Sequence, residues 1–524
     1  MTVDHMPGDA MKHATMRASA CLAALALAAS PVVAKVVRID AGPPVPMAPV
    51  PGRAAYERID GLFHGEIDPQ AFTNRIITDL ALAPRNACGM VEPGSLDTAK
   101  ASLAIERNHR ADEQVPSVDW AFGDCRAATF PGLPDPARLC LKAGFDPDAA
   151  YRLTYQGKDP RVLGIGFAAT RDLIVYLRSH REVAGSAIRW AVGVGNSQSG
   201  NFLRSFVHLG FNADEAGHRL FNGINPNIAA CQIVLNQRFG MPGGAAQTWE
   251  PGNEGALWWG RYSDSVRKRP ASSLLDRCTA TATCPKVIET FGSAEIWNLR
   301  MSPNLIGTDA RRDIPLSPNV RRYYVAGITH GGSWVGGFPA KGESVPPGCT
   351  LPSNPASERE MLRAARKRLV DWVMAKRLPP PSRYPMLARR DLVVPTGAAM
   401  GWPAIPNMPR PDGKQNPLAD YDFGPGFIAA DVSGVATHQL PILRQMLPQC
   451  VPRVNADGNE TAGVLPIQLQ VPTGTYTGWN VTAKGYGAGG GCSLFGGYIP
   501  FARSKAERLS GGDPAAAGEL NSRA

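Results

Sequence analysis

The middle of the chain alternates between short apolar runs and segments in which apolar residues recur at helical spacing. The strand-like runs lie at 151–155, 188–194, 287–291 and 323–326, and the helix-like segments at 166–178, 197–209 and 356–376. The run at 151–155 alternates apolar and polar residues, whereas the mostly apolar run at 188–194 is typical of a strand buried on both faces of a sheet. Strands that alternate with helices predict a mainly parallel, doubly wound α/β sheet.

The flanking regions have much weaker patterning. Residues 35–140 are rich in proline, residues 382–524 are rich in glycine and proline, and the prolines at 379–381 end the long helical segment. We therefore predict an irregular N-terminal region over 35–140, packed on an α/β core over 141–381, and an integral C-terminal extension over 382–524. The 55 glycines and 47 prolines favour many turns over a helical bundle.

The first 34 residues have the layout of a secretory signal peptide. Lys12 and Arg17 precede an apolar run at 18–29, and the small residues Val32 and Ala34 stand where signal peptidase would cut. The run is shorter than the ~20 residues that a membrane-spanning helix needs. We expect an exported protein, periplasmic or extracellular, with no stable membrane anchor; a buried amphipathic helix is the alternative.

Composition and charge narrow the functional class. With 44% hydrophobic and 19% charged residues, the chain can bury a large core and is not a disordered chain or a coiled coil. The net charge of +10 is spread along the sequence. No helix-turn-helix, zinc-finger or RNA-binding signature accompanies it, so we expect no nucleic-acid partner.

Cysteine usage agrees with export into an oxidising compartment. Of the ten cysteines, Cys21 lies in the predicted signal peptide, and the nine that remain are an odd number. The sequence does not determine connectivity. The pairs that we consider are Cys125 with Cys140, Cys278 with Cys284, and Cys450 with Cys492.

The strongest chemical signal is the string GVGNSQSG at 193–200, between a predicted strand and a predicted helix. A nucleophile elbow has this strand–turn–helix context, and its tight turn requires small residues two positions either side of the nucleophile. Around Ser197 these neighbours are Gly195 and Ser199, whereas Ser199 has Asn201 on one side. We favour Ser197 over Ser199; a polar turn that caps the helix is the alternative.

A serine nucleophile needs a histidine base and an orienting acid. Of the nine histidines, His330 alone follows a late core strand in a glycine-flanked loop, GITHGGS at 327–333. In hydrolases of this kind the acid lies between serine and histidine in the sequence. Glu295, just after the strand at 287–291, is our prediction, and Asp309 is the runner-up.

An oxyanion hole would use the backbone N–H of the residue after the nucleophile, which is Gln198. A second donor is expected in the loop at 156–166, where the sequence does not single out a residue.

No His-Glu-x-x-His, Cys-x-x-Cys, phosphate-loop or dinucleotide motif is present in a suitable context. The predicted chemistry requires no metal and no cofactor.

Several strings together resemble the secreted bacterial α/β-hydrolase-domain proteins, a serine esterase-like family. They are GFDP at 144–147, Tyr151, KDP at 158–160, GIGFAATRD at 164–172, GNSQSG at 195–200, FLR at 202–204, GFN at 210–212, DE at 214–215, EIW at 295–297, AGITH at 326–330, DGNE at 457–460, GTYTGWN at 474–480 and IPFAR at 499–503. The resemblance covers residues 140–510 and implies an α/β-hydrolase fold with Ser197, Glu295 and His330 as its triad. The elbow is also similar to that of glucuronoyl esterases, which carry arginine where this chain has Gln198.

From these residues we expect an exported carboxylic-ester hydrolase that acts on a small-molecule ester through an acyl-enzyme. An amidase or lactonase of the same fold is one alternative. A non-catalytic periplasmic binding protein on a hydrolase scaffold is another.

Overall fold

The computed structural model describes residues 35–43, 45–46, 57–58, 61–66, 92–107, 113–158, 164–181, 187–229, 255–333, 344–405, 408–429, 437–438, 441–502 and 504–510. The predicted signal peptide lies outside the described residues, as do Cys88 and Cys231.

Antiparallel strand pairs make up most of the described N-terminal region. The strands are β1 (Lys35–Ala41), β2 (Val45–Pro46), β3 (Glu57–Arg58), β4 (Gly61–Glu66), β5 (Glu92–Pro93), β6 (Ala101–Arg107), β7 (Glu113–Val115), β8 (Trp120–Asp124), β9 (Leu133–Leu141), β10 (Ala149–Tyr155) and β11 (Gly157–Lys158). Strand β10 pairs antiparallel with β6 and β8 with β9, around a small core that contains Leu103, Trp120 and Phe122. The prediction of an irregular region is wrong here. Prolines within β9 obscured the strand pattern, since an edge strand tolerates them.

The core follows in the order that the sequence predicts. It comprises α1 (Ile165–Ser179), β12 (Val192–Asn196), α2 (Gln198–His208), β13 (Gly223–Asn227), β14 (Tyr262–Asp264), β15 (Arg269–Ser272), α3 (Asp276–Ala280), β16 (Lys286–Gly292), α4 (Ser293–Trp297), α5 (Ser302–Ile306), β17 (Val320–Val325) and α6 (Arg359–Ala375). Strand β13 is absent from the sequence prediction. Its Asn225 and Asn227 are buried and hydrogen-bonded to Thr290, so polar residues fill interior positions of this strand and no apolar run marks it in the sequence.

Strands β12, β13, β16 and β17 form a four-stranded, fully parallel sheet in that order. Val287 of β16 packs in the cluster that holds Phe206 of α2, while its neighbour Ile288 packs against Leu369 of α6. Successive side chains of a strand point to opposite faces, so α2 and α6 cover opposite faces of the sheet. The predicted strand at 151–155 belongs to the separate antiparallel sheet of β10, and a wider doubly wound sheet stays a prediction.

The C-terminal region consists of short elements that pack against the core. They are β18 (Leu392–Val393), α7 (Gly397–Met400), β19 (Leu418–Asp422), β20 (Ile442–Leu447), β21 (Val451–Pro452), α8 (Ile467–Gln470), β22 (Gly474–Thr477), β23 (Gly497–Pro500) and α9 (Lys505–Ser510). Val464 exchanges backbone hydrogen bonds with Tyr324 and Ala326 at the end of β17. The aromatic rings of Trp297 and Trp479 meet with centroids 5.7 Å apart.

Three cysteine pairs lie at disulfide distance in the described part of the chain, and two of them match the pairs considered from the sequence. The pairing of Cys450 with Cys492 is wrong, because Cys492 bonds Cys349 instead and Cys450 is a buried free thiol. Backbone pairing of Thr350 with Val481 brings together the segments that carry Cys349 and Cys492, a proximity that sequence spacing does not reveal.

Among the described helices, none combines the length and the apolar character needed to cross a membrane.

Candidate active site

Ser197 occupies the sharp turn between β12 and α2. Its backbone has φ 54° and ψ −120°, a strained combination for a residue with a side chain. The Ser197 N–H donates to the carbonyl of Asn227 at the end of β13, 2.9 Å away. This bond fixes the turn against the neighbouring strand and leaves the hydroxyl half-exposed at the carboxyl edge of the sheet.

The turn depends on the absence of a side chain at Gly195. A Cβ atom at this position would lie 2.3 Å from the carbonyl oxygen of Ser199, which belongs to the first turn of α2. No relaxation of a side chain relieves a contact with backbone. The sequence argument for Ser197 over Ser199 was based on this requirement for a small residue at 195.

We expect Gly195→Ala to destabilise the protein by about 1–3 kcal/mol, the usual cost of overpacking, and to lower any activity that depends on Ser197. Gly166→Ala is the matched control, because a Cβ at Gly166 in α1 would meet nothing within 4 Å. Urea unfolding of both variants measures the effect. Equal midpoints for Gly195→Ala and the wild type would contradict this account of the turn.

The structure brings the three predicted side chains into one hydrogen-bonded line. His330 Nε2 lies 2.9 Å from Ser197 Oγ, and His330 Nδ1 lies 2.6 Å from Glu295 Oε1. The three residues follow β12, β16 and β17, whose carboxyl ends share one edge of the sheet because the strands are parallel. The runner-up Asp309 is not part of this line; its carboxylate accepts from the backbone N–H of Arg311.

Glu295 is fixed by a hydrogen bond from the last residue of β16, the strand that precedes its helix. It is fully buried in α4, and its second oxygen accepts from the N–H of Gly292 at 2.6 Å. Burial alone lowers the pKa of His330. The hydrogen bond and the negative charge of Glu295, together with the charge of Glu358, outweigh this effect and raise the pKa above its ordinary value. The arrangement favours an imidazole that takes up a proton on the side of Ser197.

A second buried carboxylate, Glu460 of the C-terminal region, supports both loops of the site. Its oxygens accept from Ser293 Oγ at 2.6 Å, Tyr324 Oη at 2.6 Å and the N–H of Gly327 at 2.8 Å. Ser293 begins the helix that carries Glu295, and Gly327 begins the loop that carries His330. Sequence reasoning missed this role. The sequence offers the string DGNE at 457–460 only as part of the family resemblance, and no local pattern indicates which distant donors Glu460 meets.

Gln198 begins α2 directly after Ser197, so its N–H belongs to the first-turn amides that have no acceptor within the helix. The predicted second donor is not identified, since residues 159–163 of the loop at 156–166 lie outside the described residues.

No group of His, Cys, Asp and Glu suited to a metal ion occurs among the residues that the structure describes.

Fold and site together define an α/β hydrolase. The chain matches the family model described as alpha/beta hydrolase domain over residues 117–513, and it belongs to this family. Comparison with curated proteins and with solved structures finds no match. The family match confirms the α/β-hydrolase part of the sequence-based resemblance, and it covers β10, the core and most of the C-terminal region.

Proposed function

We propose that this α/β hydrolase is an exported serine hydrolase that cleaves carboxylic esters through an acyl-enzyme. The observation that carries the proposal is the continuous line from Ser197 Oγ through the His330 ring to Glu295, with distances of 2.9 Å and 2.6 Å. A hydroxyl that donates to a neutral imidazole, itself oriented by a buried carboxylate, is the activated nucleophile of acyl transfer.

In the first half of the reaction Ser197 Oγ attacks the ester carbonyl carbon, and its proton moves to His330 Nε2. Glu295 keeps the proton on Nδ1 and stabilises the imidazolium that results. The carbonyl oxygen gains negative charge, and the Gln198 N–H, at the positive end of α2, is the donor that we assign to it. His330 then returns the proton to the departing alkoxide, which leaves the acyl group on Ser197.

In the second half a water molecule gives a proton to His330 and attacks the acyl carbon. Collapse of this intermediate breaks the bond to Ser197 Oγ, which takes the proton back from His330 and is restored. Water supplies the hydroxyl of the acid product, so the cycle is balanced with ester and water alone. Each step uses the same hydrogen-bonded groups, in agreement with the use of one histidine as base and then as acid.

Two observations support export as part of the proposal. The signal-peptide pattern of the first 34 residues predicts secretion. Cysteine pairs at disulfide distance fit an oxidising compartment, because thiols are kept reduced in the cytosol.

We expect a fluorophosphonate probe to label the purified wild-type protein on one residue, Ser197. Peptide mass spectrometry of the labelled protein identifies the residue without any mutation, and heat-denatured protein is the control for non-specific reaction. Label on Ser199 would move the nucleophile and keep the enzyme class. No label on folded protein would contradict the proposal and favour the ligand-binding alternative. Turnover of amides or lactones in preference to matched esters would correct the substrate class.

A further inference from the structure

Glu358 is a buried carboxyl group in the candidate site that the mechanism above does not use. It stands at the start of α6 and is 4% exposed. Its Oε1 accepts from Asn227 Nδ2 at 3.1 Å, whereas Oε2 makes no hydrogen bond with any described residue. A buried oxygen without a donor costs free energy, so this group is a candidate for a functional role.

Glu358 packs directly against the loop that carries His330. A Cβ atom at Gly332, two residues after His330, would lie 2.9 Å from the Glu358 nitrogen and 3.3 Å from its Cγ. The Ser333 N–H donates to the carbonyl of Ala356 at 2.8 Å, which joins the loop to the segment before α6. The glycine at 332 thus lets a carboxyl group approach the base.

The groups that face Glu358 come from four elements. They are Asn227 at the end of β13, Glu295 of α4, His330 of the loop after β17, and Arg366 of α6. The Arg366 guanidinium donates to Asn225 Oδ1 and Asn196 Oδ1, 3.1 Å and 2.8 Å away. Within this set, His330 is the group whose charge changes during the proposed reaction. Its charge interacts electrostatically with Glu358.

We propose that Glu358 is a positioning residue of this site, a further buried carboxylate whose negative charge stabilises the imidazolium form of His330; the proposal rests on the serine-hydrolase function above. Glu295 fixes the ring through a hydrogen bond. Glu358 acts through its charge, without a hydrogen bond to the ring, and it also accepts a hydrogen bond from Asn227, whose carbonyl accepts from the Ser197 N–H.

The coupling of the two groups makes the site sensitive to pH near neutrality. Burial raises the pKa of Glu358 to about 7, with Asn227, His330 and Arg366 opposing the rise and Glu295 adding to it. A charged Glu358 in turn raises the pKa of His330. The interaction is reciprocal, so protonation of His330 in the reaction favours the carboxylate form of Glu358.

Titration of the ¹⁵N-labelled histidine rings by NMR tests this coupling in the full chain. Glu358→Gln keeps an acceptor for Asn227 and removes the charge, so we expect the pKa of His330 to fall by about one unit, a tenfold change in proton affinity. Glu360→Gln, an exposed position two residues along, is the matched control and should leave the pKa of His330 unchanged. His330→Asn identifies the signal. An unchanged His330 titration in Glu358→Gln would overturn the proposal.

The wild type provides a second measurement if Glu358→Gln does not fold. Its His330 signal should show an additional inflection near the pKa of Glu358, about 7. A single-step titration would overturn the proposal.

Failure of this proposal and failure of the proposed function are distinguishable. The NMR titration needs no substrate, so it decides the coupling even if the fluorophosphonate probe does not react. For a protein that does hydrolyse esters, Glu358→Gln should move the acidic limb of the kcat/KM profile to lower pH and reduce kcat about tenfold. A purely structural role would lower stability without moving that limb.

Discussion

Ser197→Ala should reduce kcat/KM by at least about 10⁴-fold for any ester that the wild type hydrolyses, while the protein keeps its fold. The change removes one oxygen atom from a half-exposed side chain and leaves the Ser197 N–H bonded to Asn227. His330 and Glu295 remain hydrogen-bonded to each other, but there is no hydroxyl to attack the carbonyl. The residual rate would come from binding and from the oxyanion donors alone.

Ser199→Ala is the matched control for this experiment. Ser199 is exposed in the first turn of α2, two residues from Ser197, and has the same hydroxyl group. Its loss should change kcat/KM by less than about threefold, because the Ser199 side chain is exposed and is not part of the hydrogen-bonded line of Ser197, His330 and Glu295. Thermal unfolding of both variants verifies the fold. Retained activity in Ser197→Ala together with loss in Ser199→Ala would reassign the nucleophile.

Glu460→Gln should cause the largest loss of stability among single, nearly isosteric changes in this site, about 1–3 kcal/mol, because this is the usual cost of a buried donor that loses its acceptor. The glutamine amide offers one acceptor oxygen and one nitrogen that cannot accept. Ser293, Tyr324 and Gly327 all donate to Glu460 in the wild type, so at least one of these buried groups is left without a partner.

Urea unfolding, followed by tryptophan fluorescence, measures this difference, and fluorophosphonate labelling follows the site in the same samples. Labelling should fall together with stability, because Ser293 and Gly327 begin the segments that carry Glu295 and His330. Glu360→Gln makes the same chemical change at a side chain that is 74% exposed, and should leave the midpoint unchanged. If Glu460→Gln unfolds at the wild-type midpoint, Glu460 is not a support of the site.

The sequence predicted those parts of the site that have local signatures. The elbow around Ser197 is constrained by backbone sterics within five residues, and His330 lies in a short glycine-flanked loop after a strand. Both features are encoded by neighbours along the chain. Glu295 was harder, since many carboxylates separate Ser197 from His330, and its position just after a strand was the deciding signal.

The supporting residues were not predictable because their partners are distant in sequence. Glu460 and Gly327 are 133 residues apart, and Asn227 and Glu358 are 131 residues apart. No periodicity or spacing specifies such contacts. The same limit applies to the bond between Cys349 and Cys492, which the sequence-based pairing missed. Strand β13 was missed for a different reason, because Asn225 and Asn227 fill two of its buried positions and both are hydrogen-bonded to Thr290.

The dependence of the His330 loop on the C-terminal region has a consequence for the timing of folding during synthesis. Thr329 bonds the carbonyl of Leu494, 165 residues later, and Gly327 bonds Glu460. The chain emerges with its N-terminus first, whether from the ribosome or from an export channel, so the strands of the parallel sheet can pair while the anchors of the histidine loop have not yet emerged. The nucleophile is therefore translated long before its base can be fixed in place. A chain that ends before residue 460 should accordingly form the parallel sheet but have no catalytic activity.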